Sequence, residues 1–457
     1  MCFLYVQITY AQIPSFEKVV NSFFHKYSIE AVEANYYLSF QKRKEGWFTA
    51  EVNYSDQDNI INQQLFWSKS ENKFYQLTYE KIKDISKDSV QKLILRNSFA
   101  EKILNDSYNF SRNIYFGYPG WDKDVIDDYA EIEILNDTLL ESLGRAYSSY
   151  AIGFFYDRWG NSITNKDPLR KKLKDYEPIN IDRKNAFLYY QNKCIEIYKA
   201  LLQKNPNYET KVGKIEIKYA NEYVSAYSTL LYSGYPEDAK RFIQPNIYSD
   251  SLLSMARSYL TNVSKKGILI TLGDNDTYPL WYVQEKEGYR TDVIVININF
   301  LGLKRYIAWL EDFYDKSLFR LQKKVYFRDD FNVLYRNIQQ DCNDSISLTQ
   351  LIDSVNIEVP YNELYGRLRL FPCKVVTQTI DTKYSKELYP ELKNNFSFSL
   401  ETPQYLFISD LMLLDIFSKT IHTRQLHFTF KNISSLFDPY LKESGLIFKI
   451  APELSSD

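Results

Sequence analysis

The sequence predicts a mixed α/β protein of several domains: a small N-terminal α+β region, a helical middle and a C-terminal α/β domain with a mainly parallel sheet. The chain has 457 residues, enough for about three ordinary domains. Its 45% apolar and 25% charged residues are typical of globular proteins. Apolar residues alternate with polar ones near the N-terminus and recur at helical spacing in the middle of the chain. Toward the C-terminus they form short apolar runs between helical segments. We place the domains at residues 12–121, 122–263 and 264–457.

The first residues, MCFLYVQITYA, form a short apolar stretch that ends in small residues before the polar Gln12. These are marks of a signal peptide. A signal peptide usually has basic residues before its apolar stretch, and these are missing here. We therefore expect the true start of the signal to lie upstream of Met1. We therefore expect residues 1–11 to be removed and the protein to be periplasmic or associated with the cell envelope. The alternative is a buried N-terminal strand in a cytoplasmic protein.

Residues 12–121 contain one helical pattern and several strand patterns. Apolar residues recur on one side of residues 15–26, which predicts an amphipathic helix. Aromatic and β-branched residues alternate or cluster in 36–41, 47–52 and 74–77, which predicts strands.

From residue 122 the spacing becomes helical. Thr138 and Glu141 match a capping box ahead of an apolar face. Residues 212–233 carry apolar side chains on two faces, which predicts a helix covered on both sides, as in stacked helical hairpins. The segment LLQKNPNY resembles the end of a tetratricopeptide repeat, so we predict a tetratricopeptide-like domain that binds a protein partner or a membrane complex. The alternative is a non-repeating helical bundle.

Residues 267–298 predict a βαβ unit. The apolar runs 267–272 and 292–298 read as buried strands, and residues 277–287 read as the helix between them. Residues 311–403 do not continue this α/β pattern and resemble an insertion.

Within the insertion and the tail, shorter patterns remain. Strands are predicted at 325–327 and 371–376, and a helix at 347–355. After the insertion the α/β pattern resumes and is expected to extend the same sheet. It predicts a helix at 404–421, a strand at 425–430, a helix at 434–442 and a strand at 445–450.

Composition excludes several classes of function. The net charge of −2 gives no general attraction to nucleic acid. The apolar runs are far shorter than the ~20 residues of a spanning helix, so we do not expect the chain to span a membrane. The cysteines, Cys2, Cys194, Cys342 and Cys373, form no CxxC pair, and His25, His422 and His427 are scattered, so the sequence supports no zinc or redox site.

The loop 273–277, Gly-Asp-Asn-Asp-Thr, lies between the first strand and the helix of the βαβ unit, where open α/β sheets bind ligands. Asp274 and Asp276 could hold a divalent cation or orient sugar hydroxyls. Asn275 tolerates a left-handed backbone, and Thr277 can cap the helix.

The purely structural alternative is that these side chains are caps and that the aromatic residues after them, including Trp281, pack in the core. Asn297 and Asn299, at the carboxyl end of the second strand, are placed to complete a site. We predict no cofactor other than that cation.

Residues 273–301, GDNDTYPLWYVQEKEGYRTDVIVININFL, closely resemble a signature of bacterial protein-O-mannosyltransferase-like membrane glycosyltransferases. The positions that match include Trp281, Gln284, Gly288, Arg290 and Asp292. The tail is also similar, although Gln425 replaces the proline that usually follows the arginine. The resemblance covers about residues 247–454 and implies the soluble C-terminal domain of that family. In that family the membrane-spanning part carries the presumed sugar-transfer chemistry, and this sequence contains no such part.

Three functional interpretations remain open. The first is a non-catalytic cell-envelope protein that binds a partner or a glycan, with candidate contacts at Asp274, Asn275, Asp276, Thr277, Trp281, Asn297 and Asn299. The second is a transferase or hydrolase acting on glycans or phosphorylated sugars through Asp274 and Asp276. The third is a cytosolic helical scaffold. No catalytic residue is assigned.

Overall fold

The computed structural model describes residues 13–27, 36–53, 59–78, 106–156, 168–170, 176–314, 318–327, 333–336, 345–356, 369–371, 374–390, 392–403 and 405–452. The predicted signal peptide, residues 1–11, lies outside them. The chain divides into two compact units, residues 1–222 and 223–457, and the division falls inside a long helix. The mixed α/β class is confirmed.

The first unit begins with a helix and an antiparallel sheet. Ser15 caps helix α1 (Phe16–Lys26) by accepting a hydrogen bond from the amide of Lys18. The sheet has the order β1 (Tyr36–Arg43), β2 (Gly46–Asn53), β3 (Ile60–Ser68) and β4 (Lys73–Phe74). Strand β3 was not predicted, because its apolar residues form two blocks, Ile60–Ile61 and Leu65–Trp67, and do not alternate.

Aromatic rings form the core between α1 and the sheet. Phe16 stacks on Trp47 with ring centroids 5.8 Å apart, and Phe23 meets Phe40 and Phe66 edge to face. Such rings bury a large area each, and aromatic residues make up 16% of the sequence.

After the sheet come helices α2 (Trp121–Tyr129), α3 (Asp137–Ile152), α4 (Ile181–Lys204) and α5 (Ile215–Tyr232). The short hairpin of β5 (Glu209–Thr210) and β6 (Gly213–Lys214) precedes α5. Helix α3 packs on α4 at Gly144, where a Cβ atom would lie 2.8 Å from the ring of Tyr198.

The predicted capping box at Thr138 and Glu141 is wrong. Asn136 caps α3 instead, since its side chain accepts from the amide of Leu139. Glu141 is buried inside the helix and accepts a hydrogen bond from the hydroxyl of Tyr208. Capping residues of similar chemistry two positions apart cannot be separated by pattern alone.

Helix α5 is buried on two faces, as predicted. Ala220 and Val224 belong to one apolar stripe, Ala226 and Leu230 to the other, and all four are at most 1% exposed. The tetratricopeptide-like arrangement of the helices stays a prediction.

The second unit contains the predicted βαβ unit. After α6 (Pro236–Lys240) and α7 (Asp250–Asn262) come β7 (Ile268–Thr271), α8 (Asp274–Glu287) and β8 (Ile294–Asn297). A 3-10 turn (Ile298–Gly302) then leads into α9 (Lys304–Phe313).

Strand β8 is the edge of a five-stranded sheet of order β16 (Leu441–Ser444), β17 (Ile447–Ile450), β15 (Leu426–Phe428), β7 and β8. Strands β15, β7 and β8 are parallel, whereas β17 and β16 add antiparallel ladders, so the sheet is mixed. The tail therefore extends the sheet of the βαβ unit, as predicted.

The remaining elements of the second unit lie in the insertion and the tail. In the insertion these are α10 (Lys323–Tyr326), β9 (Val333–Arg336), β10 (Ile346–Ser347), α11 (Leu348–Asn356), β11 (Arg369–Phe371), β12 (Val375–Ile380), α12 (Thr382–Ser385) and β13 (Phe396–Glu401). The tail contains β14 (Tyr405–Phe407), α13 (Ile408–Thr420), β15 (Leu426–Phe428), β16 (Leu441–Ser444) and β17 (Ile447–Ile450). Among the described residues, no helix combines the length and the hydrophobicity needed to cross a membrane.

Three predictions in this part are corrected. Residues 325–327 fall on helix α10, because three apolar residues are too few to distinguish a strand from a helical turn. The helix predicted from 404 begins at Ile408, since Tyr405–Phe407 pairs with β9. Residues 434–442 form no long helix: Pro439 disfavours the α conformation before it, and the chain makes a 3-10 turn and then β16.

Candidate functional site

The signature loop joins the carboxyl end of β7 to α8. Gly273 adopts φ 81°, a left-handed conformation that suits glycine, and the helix starts at the next residue. Helix α8 therefore begins at Asp274, three residues before the predicted start. Pro279 consequently lies inside the helix and not in its first turn.

Asp276 is used to hold the loop closed. Its Oδ2 accepts hydrogen bonds from the amide of Leu272 at 2.8 Å and from the hydroxyl of Thr429 at 2.6 Å. Thr429 directly follows β15, which is the neighbour of β7 in the sheet. Burial raises the pKa of the Asp276 carboxyl, and its two donors act in the opposite direction. This side chain thus links the loop to the adjacent strand.

Thr277 and Asn297 form a buried polar network beneath the loop, and both are 0% exposed. The Thr277 hydroxyl lies 2.7 Å from that of Thr271 and from the carbonyl oxygen of Gly273. Asn297 Nδ2 donates to the Thr277 hydroxyl at 2.9 Å, and its Oδ1 accepts from the amide of Asn299 at 2.9 Å. Thr277 and Asn297, both predicted site residues, therefore connect the ends of β7 and β8 through buried hydrogen bonds.

Three predicted contacts remain exposed at this edge of the sheet. They are Asp274 and Asn275, in the first turn of α8, and Asn299, which follows β8. No group of three or more His, Cys, Asp and Glu side chains within the described ranges has the arrangement of a metal site. The predicted contacts that solvent reaches at this edge are thus Asp274 and the two asparagines.

Trp281 lies further along α8, next to edge strand β8. Its Nε1 donates to the carbonyl oxygen of Val295 at 3.2 Å. Gln284 Nε2 donates to the carbonyl oxygens of Arg290 and Val293, both at 2.9 Å. These side chains thus bond to carbonyl groups of edge strand β8 and of the turn before it.

Arg290 and Asp292 precede β8 and therefore lie at the opposite end of the strands. Arg290 donates to the carbonyl oxygens of Leu260 and Val263, at the end of α7, and to the carboxylate of Asp292. Asp292 also accepts from the amide of Lys266. The hydrogen bonds from Arg290 lower the pKa of Asp292 to about 2. Most matched signature positions therefore stabilise the βαβ unit.

A cleft of about 330 Å³ lies beside Trp281, lined by parts of α5, α8, α9 and β8. Helix α9 supplies a row of rings: Tyr306 stacks on Trp309 with centroids 5.7 Å apart, and Trp309 stacks on Phe313 at 5.2 Å. The row runs from Tyr306, 1% exposed, to Phe313, 62% exposed. Sequence analysis missed this cleft. The spacing of the three rings on α9 was visible, but their contact with α5 and α8 was not.

Comparison with known proteins finds a similarity for part of the chain. Residues 252–456 match the family model of TMEM260-associated domain 2. The match confirms that the C-terminal region is similar to a domain of a membrane-protein-related family, and the sugar-transfer part of the resemblance stays a prediction. Neither a curated protein nor a solved structure matches the chain.

Proposed function

We propose that the protein is a non-catalytic component of the cell envelope and that its C-terminal unit binds a glycan in the aromatic cleft. The row Tyr306–Trp309–Phe313 is the observation that carries this proposal. Ligand sites are mostly apolar and aromatic concavities with a few polar groups, and this cleft adds Ser228, Gln284 and Thr291 to its rings.

The shape and chemistry of the row suit a sugar chain. One face of a sugar ring presents carbon-bound hydrogens that pack on aromatic rings, and its edge presents hydroxyls for polar groups. Rings that extend from a buried end to an exposed end offer successive contacts to a linear ligand. Trp281, a contact predicted from sequence, lines the same cleft.

The geometry of the signature loop supports binding over catalysis. A catalytic carboxylate must reach the reacting atoms of a substrate. Asp276 is instead engaged by Leu272 and Thr429, and Asn297 by Thr277 and the backbone. The alternative enzyme, acting through Asp274 and Asp276, would have to break these contacts.

A protein partner is proposed for the helical part of the first unit. Exposed apolar side chains there are Ile132, 45% exposed, Ile134, 88%, Ile181, 54%, and Tyr189, 59%. They are proposed as separate contacts for a partner, since large exposed apolar areas are frequent at protein interfaces. Capture of a membrane-complex component by wild-type protein, weakened by Ile134→Asp and Tyr189→Asp, would support this assignment.

The cleft is tested by binding measurements on a panel of glycans. Wild-type protein should bind at least one of them, and Trp309→Ala should weaken that binding about tenfold or more, since loss of ~1.5 kcal/mol is about a factor of ten. Tyr384→Ala is the matched control, because Tyr384 is 64% exposed and does not line the cleft. Equal loss in both variants, or no binding to any glycan, would contradict the proposal.

Export is tested separately. N-terminal sequencing of native protein from an envelope fraction should find a mature end at or near Gln12. An intact Met1 in a cytosolic fraction would favour the alternative scaffold.

A further inference from the structure

One carboxylate stands among the aromatic rings of the cleft. Glu285 lines the cleft from α8, and its side chain is exposed. Its Oε2 accepts a hydrogen bond from the hydroxyl of Tyr227 at 3.0 Å, which fixes the carboxylate at the wall. Within the described part of the chain, no lysine, arginine or histidine forms an ion pair with it.

The lysine that lines the cleft already forms an ion pair with another carboxylate. Lys240 also lines the cleft, but its ammonium group lies 3.1 Å from the carboxylate of Glu237, three residues earlier in the chain. The charge of Glu285 is therefore not balanced by an ion pair from the cleft wall.

The rings around Glu285 add to its preference for a positive group. The faces of Trp and Tyr rings carry negative electrostatic potential and attract ammonium groups. Trp281, Trp309 and Tyr314 all line the cleft. A fixed carboxylate beside such rings is the arrangement that selects an organic cation over a neutral group of similar size.

We propose that the cleft recognises a glycan with free, protonated amino groups, and that Glu285 binds one of these groups. This inference rests on the proposed glycan-binding function and names the class of sugar. An amino sugar combines a ring face for Trp309 with an ammonium group for Glu285. An N-acetylated sugar keeps the ring but loses the charge.

The test compares two ligands that differ in this charge. Oligomers of glucosamine and of N-acetylglucosamine with equal length are titrated against the wild-type protein at one low ionic strength. We expect the glucosamine oligomer to bind about tenfold more tightly, as for one charge-assisted hydrogen bond. Raising the salt concentration should reduce the difference, because screening weakens exposed ion pairs.

Glu285→Gln removes the charge and keeps an acceptor for Tyr227, so the fold should be preserved. This variant should bind the two oligomers with nearly equal affinity. Glu443→Gln is the matched control, since it makes the same change in net charge at an exposed position outside the cleft. It should keep the wild-type preference.

The outcomes separate this inference from the proposed function. Equal binding of both oligomers by the wild type, or a preference that survives in Glu285→Gln, overturns the amino-sugar inference. If Trp309→Ala still weakens binding in either case, the cleft remains a glycan site. If neither the oligomers nor the wider panel binds, both proposals are wrong.

Discussion

Single residues of the signature act chiefly on the geometry of the βαβ unit. Thr277 and Asn297 connect the ends of two strands from inside, Asp276 ties the loop to a third strand, and Arg290 closes the end of α7. A long and specific sequence match therefore need not mark a catalytic centre. Here it marks a set of buried or half-buried polar contacts, which are costly to leave unsatisfied.

Asn297 provides the clearest test at this scale. In Asn297→Ala, Thr277 and Gly273 lose a donor and the amide of Asn299 loses its acceptor. We expect a loss of about 1–3 kcal/mol in the free energy of unfolding. Denaturant unfolding measures it, with Asn299→Ala as the control, because an exposed side chain should change stability by less than about 0.5 kcal/mol. A larger effect at Asn299 would contradict the assignment of the network.

The two aspartates of the loop should behave differently. Asp276→Ala leaves the amide of Leu272 and the hydroxyl of Thr429 without their acceptor, so the melting temperature should fall by several degrees. Asp274→Ala, at an exposed position, should cost less.

The divalent-cation prediction is decided on the same samples. If Asp274 contacts a cation, Mg²⁺ or Ca²⁺ raises the melting temperature of the wild type but not of Asp274→Asn. An unchanged wild-type melting temperature with either ion would show that the loop is structural only.

At the scale of elements, local sequence patterns predicted the helices and strands whose buried side chains recur regularly or form a continuous apolar run. Helix α1, strands β1 and β2, and the βαβ unit have clear periods in the sequence. The turn at Asp438–Tyr440 was misassigned because of Pro439, and helix α10 because three apolar residues fit a strand and a helical turn equally well. The candidate site was likewise predicted only in part. The loop followed from the βαβ rule, whereas the cleft needs α5, α8 and α9, which are far apart in sequence.

Helix α13 contains a buried carboxylate that couples it to the insertion. Asp415 is 0% exposed and accepts hydrogen bonds from the amides of Arg320 and Leu321, at 3.0 and 2.9 Å. Burial raises its pKa to about 7, although these donors act in the opposite direction. The folded state then binds a proton that the unfolded state releases near pH 4, so stability falls as the pH rises from about 4 to 7.

Asp415→Asn isolates this contribution. The neutral side chain can still accept from both amides, and its stability should lack this part of the pH dependence. The difference in unfolding free energy, wild type minus variant, should therefore decrease between pH 4 and 7. The comparison cancels other groups, such as buried His427, whose pKa is lowered to about 4 and which favours the opposite trend. A constant difference would mean that Asp415 is ionised throughout.

At the scale of the whole molecule, the boundary of the family match differs from the boundary of the compact unit. The match begins at residue 252, whereas the second unit begins at residue 223. The segment between them contributes to the core of that unit. Tyr232 meets the rings of Phe300 and Tyr306 at 6.1 and 5.8 Å, and Tyr227 bonds to Glu285.

Two fragments test whether the matched region is sufficient. Residues 215–457 keep the whole of α5, and residues 252–457 keep only the matched part. We expect the shorter fragment to be less stable by at least about 6 kcal/mol, because it lacks the buried Tyr227, Tyr232, Phe242 and Tyr248, each worth ~1.5–3 kcal/mol. It also lacks one wall of the cleft, so it should not bind the glycans that the longer fragment binds. Denaturant unfolding and titration with the same glycan panel measure both effects. Equal stability and equal binding of the two fragments would show that α5 is dispensable and that the cleft does not depend on it.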